Sequence, residues 1–425
     1  MNFDAFRNIT ISQKNQLLDH CRSAERNVRI EPFNSIASAR AALDLLCIQL
    51  LISKNMYTGQ TLCRMISDCV QEQLFISRED AHFVRLAGNR FVHTKDAEQE
   101  QEIPLDKCLH TVSTNNVELA KNVAHKLYKI MSEAFDISCE FDDEKIPFGE
   151  YEILHKVPKD PREIIVGDYN YFVENSAHDC YYVQIIPNNA LDAGEKAFVN
   201  RNRSAVSIIR EDREPRAFLK NAQMLFGHCD DAEMEYVAYH AYPDSYILAE
   251  LVMGDRSTLS PWQSLQVCRD LLDTLIEMMD LGQGLHHRNI SPSCVMLTPG
   301  NAKLRGSLIN FQTAKIENNE ISIRRYLRGI YDSNMFVHPN IRNADLCQFD
   351  GYWDKADAYS VAAILIFCVK PEAVQSEIDV TDIDEYFSEE MVDFLDRIFR
   401  NSLGAGCTLT EFREVIENEA NQYRQ

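Results

Sequence analysis

No C-x-x-C pair occurs in this sequence, although it holds 13 Cys. A zinc ribbon and a paired redox centre are therefore excluded, and an odd, scattered count does not build a disulfide framework. The cysteines read instead as small buried hydrophobes. No uncharged apolar run reaches the ~18–20 residues that a bilayer span requires. The opening residues, MNFDAFRNITISQKN, carry acid and amide groups where a secretory leader would be basic and then apolar. These absences predict a cytosolic protein with no membrane association, and no motif calls for a metal or a cofactor.

What the chain has in excess is negative charge, −22 overall. The excess is uneven. Residues 1–140 hold 16 Lys+Arg against 18 Asp+Glu, and the remainder hold 27 against 47. The second part repels polyanions; the first is neutral enough to accept one where its basic residues cluster. Acidity on this scale also keeps a protein soluble.

Residues 1–140 are predicted to be helical. Ile36, Ala39, Leu43, Leu46, Cys47 and Leu50 recur at helical spacing, with Ser35 placed to cap. Leu62, Met65, Ile66, Cys69 and Leu74 form a second stripe, Phe83 to His93 a third segment, and Ala120, Ala124, Leu127, Ile130 and Met131 a fourth. Short polar connections predict an antiparallel bundle ending near EFDDEKI, so the expected domains are 1–140 and 141–425. Beyond residue 150, YNYFVE (169–174), CYYVQII (180–186) and YILAELV (246–252) are aromatic and β-branched, as strands are. Helices are predicted over 261–281, 355–369 and 389–401. A strand-rich lobe followed by a larger helical lobe is an α+β arrangement.

Several short segments in order carry a resemblance. His286-His287-Arg288-Asn289-Ile290-Ser291-Pro292-Ser293-Cys294 resembles the catalytic loop H-R-D-L-K-P-x-N of protein kinases. Asn310-Phe311-Gln312 stands where D-F-G is expected, and His338-Pro339-Asn340 resembles A-P-E. Asp357-Ala358-Tyr359-Ser360 resembles D-x-W-S, Glu250-Leu251-Val252 falls at the hinge, and Tyr182-Val183-Gln184-Ile185 at V-A-I-K. The resemblance covers about residues 150–422 and implies a two-lobed kinase-like fold. Its chemistry is missing. Phosphoryl transfer needs positioned metal ions and a carboxylate that accepts the hydroxyl proton. Asn289 replaces that carboxylate, Cys294 and Asn310 replace the metal ligands, Gln184 replaces the phosphate-holding lysine, and no G-x-G-x-x-G precedes the strands. Magnesium prefers oxygen ligands. The resemblance therefore implies a pseudokinase.

In the N-terminal part, ARAALDLLC (39–47) followed by VRLAGNRFVH (84–93) resembles the HEPN superfamily, in particular its DUF4145 branch. Arg85, Asn89 and His93 are spaced i, i+4, i+8 and share one helix face. Arginine holds a phosphate by two hydrogen bonds, histidine moves protons near neutral pH, and an amide orients. The resemblance implies metal-independent cleavage of an RNA substrate by a homodimer. The sequence departs from the family's R-N-x-x-x-H, because Gly88 precedes Asn89. A mid-helix glycine costs ~1 kcal/mol against alanine and marks the close approach of another helix or a ligand. Two function classes follow. One is an RNA-cleaving effector, in toxin or anti-phage defence, controlled by the pseudokinase. The other is a non-catalytic scaffold or sensor that binds a regulatory protein partner. Openness of Arg85, Asn89 and His93 to solvent discriminates them.

Overall fold

The computed structural model describes residues 1–92, 116–158, 169–187, 193–211, 222–224, 234–253, 258–316, 334–342 and 351–423, with Leu327 and Tyr331, apart from interruptions at 30, 139, 148, 150, 282–283, 301–302, 375–377 and 379. His93 lies outside the described residues. The chain divides into two units, one formed by 1–154 with 173–178 and 226–235, the other by the remaining residues.

The first unit is helical: α1 (Lys14–Asn27), α2 (Pro32–Ser53), α3 (Leu62–Gln71), α4 (Arg78–Val92) and α5 (Asn116–Phe135). α2 packs against the other four, and its apolar stripe from Ile36 to Leu50 is buried. Among the described residues it is the one helix long and apolar enough to cross a membrane by length and composition. Arg40 and Asp44 interrupt it, so it is not an uncharged run of membrane length. Its all-round apolar character matches a helix with neighbours on several sides. α2 also begins a turn earlier than Ser35 suggested, because Pro32 occupies the first turn, where its missing N–H costs nothing. The Ser35 hydroxyl instead donates to the carbonyl of Ala24 at 2.6 Å, tying α2 to α1. Leu74 lies beyond the end of α3, at Gln71.

The N-terminus and the segment after α5 lock together. The buried carboxylate of Glu25 accepts from the Asn2 and Phe3 backbone N–H at 2.7 and 3.2 Å. The Asn2 amide donates to the Asp142 carbonyl at 2.9 Å and accepts from its N–H at 2.8 Å. Phe3 and Phe6 each pack edge to face on Tyr128, and Ile146 belongs to the same core. These ties hold residues 141–146 to the helical unit.

Beyond residue 150 the chain forms a five-stranded sheet of order β1-β2-β3-β5-β4: β1 (Glu152–Pro158), β2 (Tyr169–Glu174), β3 (Cys180–Pro187), β4 (Ala222–Met224) and β5 (Met234–Ala241). Helix α6 (Ala193–Glu211) intervenes between β3 and β4. The apolar run 246–252 is not one strand. Only β6 (Tyr246–Ile247) pairs, and α7 (Glu250–Met253) follows, its Glu250 carboxylate accepting from the Ile247 N–H at 2.6 Å. Residues 242–245 are the turn between β5 and β6, and Glu250–Val252, where the motif order expects the hinge, lie in α7. Helices then dominate: α8 (Pro261–Met279), α9 (Pro339–Arg342), α10 (Trp353–Val369), α11 (Glu389–Arg400) and α12 (Leu409–Gln422). α10 is buried on nearly every side, as its continuous apolar sequence demands. Short strands β7 (Leu285–His286), β8 (Val295–Pro299), β9 (Leu304–Leu308) and β10 (Lys315–Ile316) carry the loops between α8 and α9. β8 pairs with β6 and β9, and β7 with β10.

Candidate functional site

The loop from His286 to Cys294 runs from β7 to β8 and is held from below by α10. Asp357, at 1% exposure, accepts from the backbone N–H of His287 at 3.0 Å and of Arg288 at 2.8 Å. Arg288 adopts φ +67°, a conformation uncommon for a residue with a Cβ, and its Nε donates to the Thr313 carbonyl at 2.7 Å. The guanidinium lies 5.0 Å over the Trp353 ring. Tyr331 donates its hydroxyl to the Arg288 carbonyl at 3.0 Å. Burial pushes the Asp357 carboxyl up to about 7, against the pull of the two N–H donors and Arg288. Burial holds His286 and His287 down at about 4, so both rings are neutral near pH 7.

Within this frame the altered positions turn into the protein. Asn289 is 4% exposed, and its side-chain Oδ1 accepts from the Asn334 side-chain amide at 2.8 Å. The Cys294 thiol donates to the Asn289 carbonyl at 3.3 Å. Asn310 has φ +63°, which asparagine tolerates better than most residues, and its backbone N–H donates to the Tyr239 hydroxyl at 3.0 Å. The next N–H, of Phe311, donates to the Asn202 side chain of α6 at 2.9 Å, and that same oxygen lies 3.4 Å from the Tyr239 hydroxyl. Gln184 on β3 is fully buried, and neither of its amide atoms has a hydrogen-bond partner among the described residues. Asn289, Cys294 and Asn310 thus form one neighbourhood joined to α6 and β5, with an amide or a thiol wherever the motif calls for a carboxylate or a metal ligand.

On α4 of the first unit, Arg85 is 6% exposed and Asn89 half-buried. The Arg40 side chain of α2 lies across Gly88: a Cβ there would sit 2.8 Å from Arg40 Cγ and closer still to its Cβ and Cδ. Its Nε donates to the Asn89 side-chain oxygen at 2.8 Å. The close approach that Gly88 predicted is therefore to another helix of the same chain. His82, a turn before Arg85, is buried with both ring nitrogens unpartnered among the described residues, and burial, then Arg85 and Arg78, hold its pKa down.

No family model matches this chain, and no curated protein matches it. Among solved structures, the crystal structure of Rad53 kinase domain and SCD2 is similar at 12% identity, over 62% of this chain and 87% of that one, with a TM-score of 0.41.

Sequence reasoning missed Asn202, Tyr239, Tyr331, Asn334 and Arg40. None carries a motif, and their spacing along the chain says nothing of the partners they meet. Arg40 did stand inside the segment 39–47, and a glycine one helix away was the signal that something must lie across it.

Proposed function

We propose that the second unit is a protein-kinase-like domain, built as two lobes, that does not transfer phosphate and serves as a regulatory or scaffold module. The observation that carries this reading is the state of Asn289, Cys294 and Asn310. Each is buried and none can accept a proton usefully near neutral pH; the Asn289 and Cys294 side chains are bonded to protein groups, while Asn310 is held through its backbone N–H and its Oδ1 has no hydrogen-bond partner among the described residues. Electrostatic stabilisation is the main resource of phosphoryl transfer, and these side chains supply none of it. The groups that are kept, Arg288 and Asp357, hold the loop's shape. The test uses the full chain with labelled ATP and magnesium: no transfer to itself or to a generic substrate is expected. Thermal melting should show no magnesium-dependent rise at millimolar ATP, since a ligand bound to the folded state raises stability by mass action. Transfer abolished by Asn310→Ala would refute the reading.

A second reading is favoured by Arg40. In it the first unit is HEPN-like and cuts RNA without metal, with Arg40 beside Asn89 supplying the charge that position 88 lacks, Arg85 steadying the phosphate and His93 moving protons. The low exposure of Arg85 weighs toward the scaffold. The deciding measurement is cleavage of RNA in EDTA by wild type, Arg40→Ala and His93→Ala, with 2′,3′-cyclic phosphate ends expected. Equal activity in all three would eliminate this reading and leave the scaffold.

A further inference from the structure

Helices α11 and α12 leave a cavity of about 440 Å³ between them, within the range of sites that take ligands. Its floor is apolar, from Phe394 and Ile398 on α11 and Val415 on α12. Its walls are charged, from Arg397 on one side and Glu411 and Glu414 on the other. On each helix these side chains follow the i, i+3, i+4 pattern, so the apolar strip runs along the helices as a groove rather than a round hole.

The charge around it is one-sided. Residues 389–422 hold eight acids against three arginines. The arginines are already engaged: Arg400 with Asp396 at 2.8 Å, Arg413 with Asp273 at 3.0 Å and Glu417 at 3.2 Å, and Arg397 over the Phe394 ring at 5.6 Å. Glu414 is exposed and has no ion-pair partner among the described residues. The Glu411 carboxylate is pinned at the wall by the Thr408 N–H and hydroxyl, at 2.8 and 3.0 Å, which keeps its pKa low and its charge on. An apolar strip with Glu411 and Glu414 along its α12 side and Arg397 folded over Phe394 on the other, in a part of the chain whose net charge is negative, favours an amphipathic occupant whose cations meet the α12 side.

We propose that the α11–α12 groove docks a basic amphipathic helical segment of a partner protein, with apolar side chains on Phe394, Ile398 and Val415 and lysines or arginines at Glu411 and Glu414. This is helix-in-groove recognition, read by anchors at i, i+3 or i+4. It rests on α11 and α12 alone and holds whatever the kinase-like cleft binds.

The probe is a fluorescein-labelled helical peptide of lysine and leucine, with leucines at i, i+3, i+4 and i+7, titrated into the full chain. Binding in the micromolar range is expected, with hydrogen-exchange protection confined to α11 and α12. Glu414→Lys and Ala405→Trp, both at exposed groove positions, should each weaken it about tenfold by charge reversal and by filling. Glu385→Lys, an exposed acid outside the groove, should change it less than about twofold. Peptides with leucine replaced by serine, or lysine by glutamate, should not bind. Equal affinity in wild type and Glu414→Lys, protection elsewhere, or no binding in the micromolar range would each overturn the proposal.

Discussion

Single residues in this protein are constrained by what lies across from them. Gly88 sits mid-helix, where alanine would be favoured by ~1 kcal/mol on propensity alone. The Arg40 side chain occupies the space that a Cβ needs, and overpacking costs about 1–3 kcal/mol, so contact wins over propensity. Gly88→Ala should lower stability in a denaturant melt, while Gly88→Ala on an Arg40→Gly background, which removes the Arg40 Cβ as well as the rest of the side chain, should cost clearly less. A cycle without coupling would show that Arg40 does not lie there. Asp357 is constrained in a different way. Its carboxylate is the acceptor for two buried N–H groups. Asp357→Ala would orphan both, each worth about 1–3 kcal/mol, and Asp357→Asn, which retains one oxygen, should lose clearly less.

At the scale of elements, the helix starts of the second unit are set by local chemistry. Thr408 accepts from the Glu411 N–H at 3.2 Å while the Glu411 carboxylate accepts from Thr408, a reciprocal cap on α12. Thr408→Ala should cost about 1 kcal/mol, read as a lower melting temperature. Ser260 and Gln263 make the same arrangement on α8. Both boxes are visible in the sequence as S/T-x-x-E/Q before an apolar run. α2 has no side-chain cap: Glu31 stands at its N-cap without such a bond, and Ser35, which fits the cap pattern, is used for a contact with α1.

For the whole molecule, buried titratable groups set how stability depends on pH. His286, His287 and His338 are each held down at about 4 by burial, below the free value of about 6.5. Between pH 4 and 6.5 the unfolded chain binds these protons and the folded chain does not, so stability falls as pH falls through that window. Asp357, raised to about 7, acts in the opposite sense, since its folded form keeps a proton that the unfolded chain releases above about 4. Burial also lowers His82 and raises Glu25 and Asp270, which act in the same two senses; on the three histidines against Asp357 a net loss of a few kcal/mol is expected between pH 7 and 4. Denaturant midpoints across that range test it; a midpoint flat with pH, or rising toward pH 4, would show that the rings charge within the fold.

The sequence by itself determined the helical character of the first part, the strands at 169–174 and 180–186, the long helices of the second part, and the residue types at the altered motif positions. These are local properties: hydrophobic period, β-branching and the presence or absence of a carboxylate. Only the tertiary structure decided that YILAELV breaks into a strand and a helix, because Glu250 turns back to accept from Ile247. It alone decided that Asn202 and Tyr239 hold the Asn310 segment, and that Arg40 crosses Gly88. Each of these pairings joins residues that sequence spacing does not relate, and a buried polar group takes whichever partner the packing of the chain brings within reach.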